Sequence, residues 1–386
     1  MVKPSLIGNL NYYIWETWDS HRSRTNLPEP RMKIYYIIII LFVFVSTSVK
    51  AQEDILLKDY KPISIYNTPR TQVSKAKFPL VDFHSHPYPK SEQEIGEWVR
   101  TMDQAGVAKS IILTYQTGKS FDSIVNLYSK YGDRFELWCG FDFTGYNEKG
   151  WGKKAVAELE RCYKMGARGV GELGDKGFGF FYSRPTPAKG MHADDERMGP
   201  LWEKCAELGM PVSIHVADPM WMYEPMDVHN DGLMNAYKWR IDTSQDGRLT
   251  HAELITTLEN AVRENPKTTF IACHFANCSY DLDILGSLLD KYDNMYADIS
   301  ARYAETAAVP RYTKRFYEKY QDKLVYGTDM GTDPEMYQLT FRILESEDEH
   351  FYDRNISSYH WSFNGLGLSD EVLKKVYSEN AKKILD

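Results

Sequence analysis

Cysteine is scarce in this chain of 386 residues, limited to Cys139, Cys162, Cys205, Cys273 and Cys278. An odd number at scattered spacings excludes a disulfide framework and reads instead as small buried side chains. Positive charge is not in excess either. Lys and Arg number 46 against 54 Asp and Glu, a formal net charge of -8, which leaves no electrostatic ground for a nucleic acid or another polyanion as partner. Internal repeats and low-complexity linkers are also missing, so neither a solenoid nor a tethered array is expected.

Long apolar runs are nearly absent. The main one, at 34–45, is roughly a dozen residues, short of the about 20 that a membrane-spanning helix needs. It follows Met32 and Lys33 and leads into small residues at 46–51, with Val49 and Ala51 placed as cleavage-site residues. This is the layout of a cleaved export signal, favoured over a membrane anchor. A periplasmic or secreted protein is expected, with Met32 as the better initiator and a mature start near Gln52. Residues 1–51 are thus assigned to an extension and signal, 52–77 to an extended lead-in, and 78–386 to the folded domain.

What is present suits a large core, with 43% hydrophobic and 26% charged residues. Short apolar runs at 79–83, 110–115, 136–141, 169–173, 212–216, 269–274, 295–299 and 324–327 predict eight strands. Amphipathic segments at 92–102, 153–165, 201–208, 254–263, 283–292 and 311–320, and a last one at 370–385, predict helices. Gly106, Gly166 and Gly209 stand where left-handed caps would end three of them. The fold class is α/β, and eight strands each returned by a helix close most simply into a (βα)8 TIM barrel with an insertion between strands 5 and 6. A doubly wound open sheet shares the local pattern.

Of ten histidines, four fall at the carboxyl ends of these strands. His84 and His86 stand at i and i+2 on the first, where both imidazoles face one way. His215 ends the fifth strand and His274 the sixth, and Asp329 follows the eighth. In a barrel that end is the catalytic face. Imidazole nitrogens with a carboxylate suit zinc or a similar divalent ion that leaves a position open for a water to be activated. Asp329 and His274 are the candidate proton acceptors.

With these residues the chain resembles the metal-dependent amidohydrolase superfamily, in its amidohydrolase-related branch, from about Pro79 to Asp386. The closing stretch from Tyr377 to Leu385 resembles that branch's final helix. The resemblance implies that His84, His86, His215 and Asp329 hold a metal. For His274 it leaves two roles open, polarising substrate or water, or ligating a second metal. Glu172, at the end of the fourth strand, either bridges two ions as in some binuclear relatives or hydrogen-bonds beside the ligands. One ion or two therefore stays open.

Residues 242–253 have the spacing of an EF-hand loop inside an insertion at about 230–253. Asp242, Ser244, Asp246, Thr250 and Glu253 supply oxygens, Arg248 falls at the backbone-carbonyl position, and Gly247 permits the turn. Calcium there would stiffen the insertion. An Asp-Gly turn leading into a helix is the plainer alternative. Around the barrel mouth, Phe178, Tyr182, Arg184, Trp221, Tyr223, Asn277, Arg302 and Tyr303 can wall a pocket, the arginines pairing a carboxylate or phosphate.

The expected function is an exported metal-dependent hydrolase that directs water at an ester, lactone, amide or phosphoester of a small molecule. The alternatives are a non-oxidative decarboxylase and a non-catalytic binding barrel.

Overall fold

The computed structural model describes residues 55–386 apart from Pro185, Arg354 and Ser358. The expected export signal and the initiator at Met32 lie outside the described residues. By its contacts the chain divides into Met1–Tyr60 and Lys61–Asp386. In the first unit a single 3-10 turn, Leu57–Asp59, is described.

The second unit is the barrel. Its strands are β1 (Leu80–Ser85), β2 (Val107–Leu113), β3 (Phe135–Trp138), β4 (Val170–Asp175), β5 (Val212–Val216), β6 (Phe270–Ala272), β7 (Met295–Asp298) and β8 (Leu324–Val325). All pairs are parallel, β1 through β3 in one run and β4 through β8 in another. Both seams are closed. Cys139, just past β3, bridges Val170 in parallel, and the Phe83 amide donates to the Tyr326 carbonyl at 2.8 Å. The ring is therefore complete, as eight βα units predict.

Helices α1 (Glu92–Ala105), α2 (Gly118–Tyr128), α3 (Trp151–Lys164) and α4 (Gly199–Glu207) return the first four strands. Between β5 and β6 lie α5 (Leu233–Trp239) and α6 (His251–Glu264), and α7 (Leu282–Lys291) follows β6. Then come α8 (Tyr303–Ala308), α9 (Pro310–Tyr320), α10 (Pro334–Glu345), α11 (Asp370–Lys374) and α12 (Asn380–Leu385). Helices α2, α8 and α10 are not among the predicted segments. The predicted last helix is broken by a wide turn at Lys375–Glu379. Gly106, Gly166 and Gly209 do adopt positive φ, at 81°, 114° and 64°.

Alternation decides which residues fill the ring. Val81 and Phe83, Ile111 and Leu113, Trp138, Ile271 and Val325 form one buried cluster inside it, onto which Ala381, Ile384 and Leu385 of α12 pack. The opposite faces of the strands carry Leu80, Ile112, Cys139, Val170, Val212 and Phe270 into the larger core shared with the helices. Burying each such side chain contributes about 1.5–3 kcal/mol. The lead-in is clamped to the far end of α10. Thr71 donates from its amide and its hydroxyl to the two oxygens of Asp348, each at 2.7 Å. Asp348 in turn pairs with Arg342 at 2.7 Å.

Candidate metal centre

Four strands end in residues that no ordinary strand conformation would present to the mouth. Ala217 after β5, His274 after β6, Ala301 after β7 and Asp329 after β8 all have positive φ, between 52° and 60°. In β6 the left-handed stretch continues through Phe275, Ala276 and Asn277. Such residues cost about 1–3 kcal/mol each and persist where a site requires the aim they give. The predicted sixth strand, 269–274, therefore ends early at Ala272, and His274 stands on the turn beyond it. Likewise Asp329 sits four residues past the end of β8. Gly327 admits His84, since a Cβ there would lie 2.7 Å from the His84 Cβ.

These turns gather the predicted ligands around Glu172. His215 Nδ1 lies 2.7 Å from Glu172 Oε1 and His274 Nε2 lies 3.2 Å from the same oxygen. His86 Nε2 is 3.4 Å from Glu172 Oε2 and 3.1 Å from Asp329 Oδ1. His84 Nε2 is 3.8 Å from Glu172 and 3.9 Å from Asp329, and His274 Nε2 is 3.7 Å from Asp329 Oδ2. Ligands about 2.1 Å from a common ion lie about 3–3.5 Å apart, so these spacings are near what coordination asks. Among the donor groups that can be drawn are His84 with His86 and Asp329, and Glu172 with His215 and His274.

The backs of the rings are fixed. His86 Nδ1 donates to the Leu113 carbonyl at 2.8 Å, His84 Nδ1 to Asp298 Oδ2 at 2.8 Å, and His274 Nδ1 to the Ser300 carbonyl at 3.0 Å. Each bond leaves the Nε2 lone pair pointing into the site, the tautomer a metal ligand needs. Asp218 Oδ1 lies 3.4 Å from His215 Nε2, a charge attraction outside hydrogen-bond geometry. His84 Nε2 decides whether a cation fits: it is wholly buried and accepts from nothing. An unmet buried acceptor costs about 1–3 kcal/mol, which a divalent ion would remove, and the donor set of imidazoles and carboxylates fits such an ion.

Charge is arranged to match. Burial opposes ionisation of Glu172, but His215 and His84 outweigh it and hold the carboxyl well below its usual range. Burial opposes Asp329 as well, and His84 and His86 keep it ionised. Asp298 is brought down to about 2, its burial overcome by His84. His274 goes the other way, since burial, with the His215 and His84 charges, pushes it below its usual value despite Glu172.

A cavity of 240 Å³ opens beside the centre, lined by Ala301 and Arg302, next to Ser300, and by Met330, next to Asp329. Trp221, Trp239 and Tyr359 form aromatic walls. The half-buried Arg302 donates through Nε to Asn277 Oδ1 at 3.0 Å and through Nη1 to Glu305 Oε1 at 3.3 Å. Of the predicted substrate residues, Trp221 and Arg302 face this cavity. Asn277 positions Arg302, and Tyr303, a lining residue, ties its hydroxyl to the Gly327 carbonyl at 2.7 Å. Arg184 is exposed, 5.9 Å above the Tyr115 ring. Phe178 sits under the Arg248 guanidinium at 4.2 Å, Tyr182 is exposed, and Tyr223 packs edge-on against His251. Sequence reasoning missed Asp298 and Asp218. An acid closing β7 and another three residues past His215 were the available signals. It also missed Asp82, buried on β1 beneath Thr328, whose hydroxyl donates to it at 2.7 Å.

The amidohydrolase family's sequence model matches residues 142–386. The chain belongs to the amidohydrolase family. The matched span holds Glu172, His215, His274 and Asp329, while the His84 and His86 pair precedes it. No curated protein matches in sequence. Among solved structures, one from Staphylococcus aureus described as an amidohydrolase is 15% identical, with 79% of this chain and 99% of that one covered and a TM-score of 0.50, a likeness of fold. The 2,6-dihydroxybenzoate decarboxylase from Rhizobium is 14% identical, with 80% and 98% covered and a TM-score of 0.48. A dihydroxybenzoic acid decarboxylase from Polaromonas, with bound manganese, is 14% identical, with 80% and 97% covered and a TM-score of 0.49.

Proposed function

We propose that this amidohydrolase-family enzyme uses a divalent centre to remove the carboxylate of a small planar acid as carbon dioxide, without oxidation. The observation that carries the reading is Arg302, a half-buried guanidinium that lines a cavity of 240 Å³ together with Trp221, Trp239, Tyr359 and Met330, the last next to Asp329. A cation flanked by aromatic surfaces suits a flat anion, and the cavity's size suits a single ring. That reverses the order expected from sequence, where hydrolysis came first.

His84, His86, His215, Asp329 and Glu172 would hold the metal, with His274 beside Glu172; zinc and manganese both suit these donors. When bound, the ion supplies Lewis acidity that draws electron density from the substrate. The chain's residues do the remainder. Arg302 and the aromatic walls orient the ring, and its carbon–carboxyl bond breaks with the electron pair left on carbon. That carbon then takes a proton, which Asp329 would deliver after accepting it from a hydroxyl of the substrate or from water. Glu172, in contact with all four histidines, is the bridging group if two ions bind.

Hydrolysis is the second reading. It is favoured by His274, which burial holds neutral at the site and which can take a proton from water. Product analysis on planar acids, lactones, amides and phosphoesters separates them. Carbon dioxide without solvent oxygen-18 in the product supports decarboxylation; oxygen-18 incorporation without carbon dioxide overturns it.

We also propose calcium binding at 242–253. Gly247 has φ of 76°, Thr250 and Glu253 form a capping box, and Arg248 and Leu249 tie the loop to the β4 exit through the Lys176 and Gly177 carbonyls at 2.9 and 2.8 Å.

A further inference from the structure

One more donor atom lies near the centre. Cys273 precedes His274, immediately past the end of β6 and two residues after Ile271 of the cluster inside the ring. It is fully buried. Its sulfur forms a group with one ligand atom each of His84 and Glu172, all within 4.8 Å of one another. The Ser213 hydroxyl lies 3.1 Å from Sγ. Within this group His84 Nε2 is buried and without a partner.

We propose that Cys273 is a ligand of the centre, giving a thiolate from the barrel floor to an ion that His84 and Glu172 also hold. The inference rests on the metal-centre reading above. On coordination the S–H bond breaks heterolytically: the electron pair stays on sulfur and the proton leaves to solvent. The Ser213 hydroxyl can then turn to donate to the sulfur. A soft donor on an otherwise imidazole and carboxylate site biases it toward thiophilic ions such as zinc or cadmium and away from manganese.

Cobalt(II) titration of the whole protein is the test, because a thiolate on cobalt gives a near-ultraviolet charge-transfer band while any bound cobalt gives visible d–d bands. The wild type should show both. Cys273→Ser should keep the d–d bands and lose the charge-transfer band, whereas Cys205→Ser, at a buried cysteine on α4, should keep both. The affinity ratio of cadmium to manganese should fall about tenfold or more in Cys273→Ser. Bound cobalt without the near-ultraviolet band in the wild type overturns the thiolate and leaves the metal centre standing, and it needs no variant to fold. A protein that takes up no cobalt overturns both.

Discussion

Asp298, at the end of β7, accepts the Nδ1 proton of His84 at 2.8 Å and also receives the His274 amide at 2.9 Å. One buried carboxylate thus sets the ring of the first-strand His84 and the backbone of the sixth-strand turn. Replacing it with Asn keeps the shape and removes the charge that fixes the tautomer. Asp298→Asn is expected to weaken metal binding about 10–100-fold, measured by calorimetric titration. An unchanged affinity would remove Asp298 from the account.

Arg302 should act on the substrate and not on the metal. Lys keeps the charge but loses the planar fork. Arg302→Lys should weaken binding of a planar aromatic carboxylate about 10–100-fold, the worth of a charge-assisted pair, with metal content unchanged. Equal loss for a neutral analogue of the same ring would show that the guanidinium does not read the carboxylate.

How much of this was legible in sequence follows from what each feature depends on. Strands of a parallel barrel are buried on both faces and read as short apolar runs, so all eight were readable, as were the glycines at 106, 166 and 209 that stop helices. His84, His86, His215, His274, Glu172 and Asp329 could be named because strand ends in a barrel meet at one face. Their aim could not be read. It depends on the left-handed residues 274–277 and 329; His, Asn and Asp adopt that region more readily than most residues, but Phe275 and Ala276 carry no local signal for it. Asp298 and Asp218 escaped because their roles arise from partners 214 and 3 residues away in the chain. Helix α10 escaped because it begins at Pro334, which reads first as a break although proline is tolerated in a first helical turn.

The clamp on the lead-in makes stability depend on pH. Burial works against ionised Asp348, but Thr71 and Arg342 outweigh it and lower its carboxyl below the ordinary value. A lowered folded-state value means that the contribution is full above the unfolded value of about 4 and is lost as pH falls through the folded one. Asp348→Asn should cost about 2 kcal/mol at pH 7, by urea unfolding, and the gap to wild type should close on acidification below about pH 4. A gap that widens in acid would contradict the assignment.

Calcium at 242–253 should raise the melting temperature at millimolar concentration, the range of weak extracellular sites. Asp242→Ala should abolish the shift while leaving activity in place. No heat on titration with calcium and no change in melting would reduce the segment to an Asp-Gly turn capping α6.

The centre itself is tested most directly by counting metal in the purified, dialysed protein beside His84→Ala with His86→Ala, Asp329→Asn and Glu172→Ala. Wild type should retain a divalent ion and the double histidine variant should lose it. Asp329→Asn, whether or not it keeps the metal, should lose roughly 10²–10⁴-fold in kcat. Two equivalents falling to one in Glu172→Ala would establish the bridge. Metal content indifferent to His84 and His86 would contradict the account at its root.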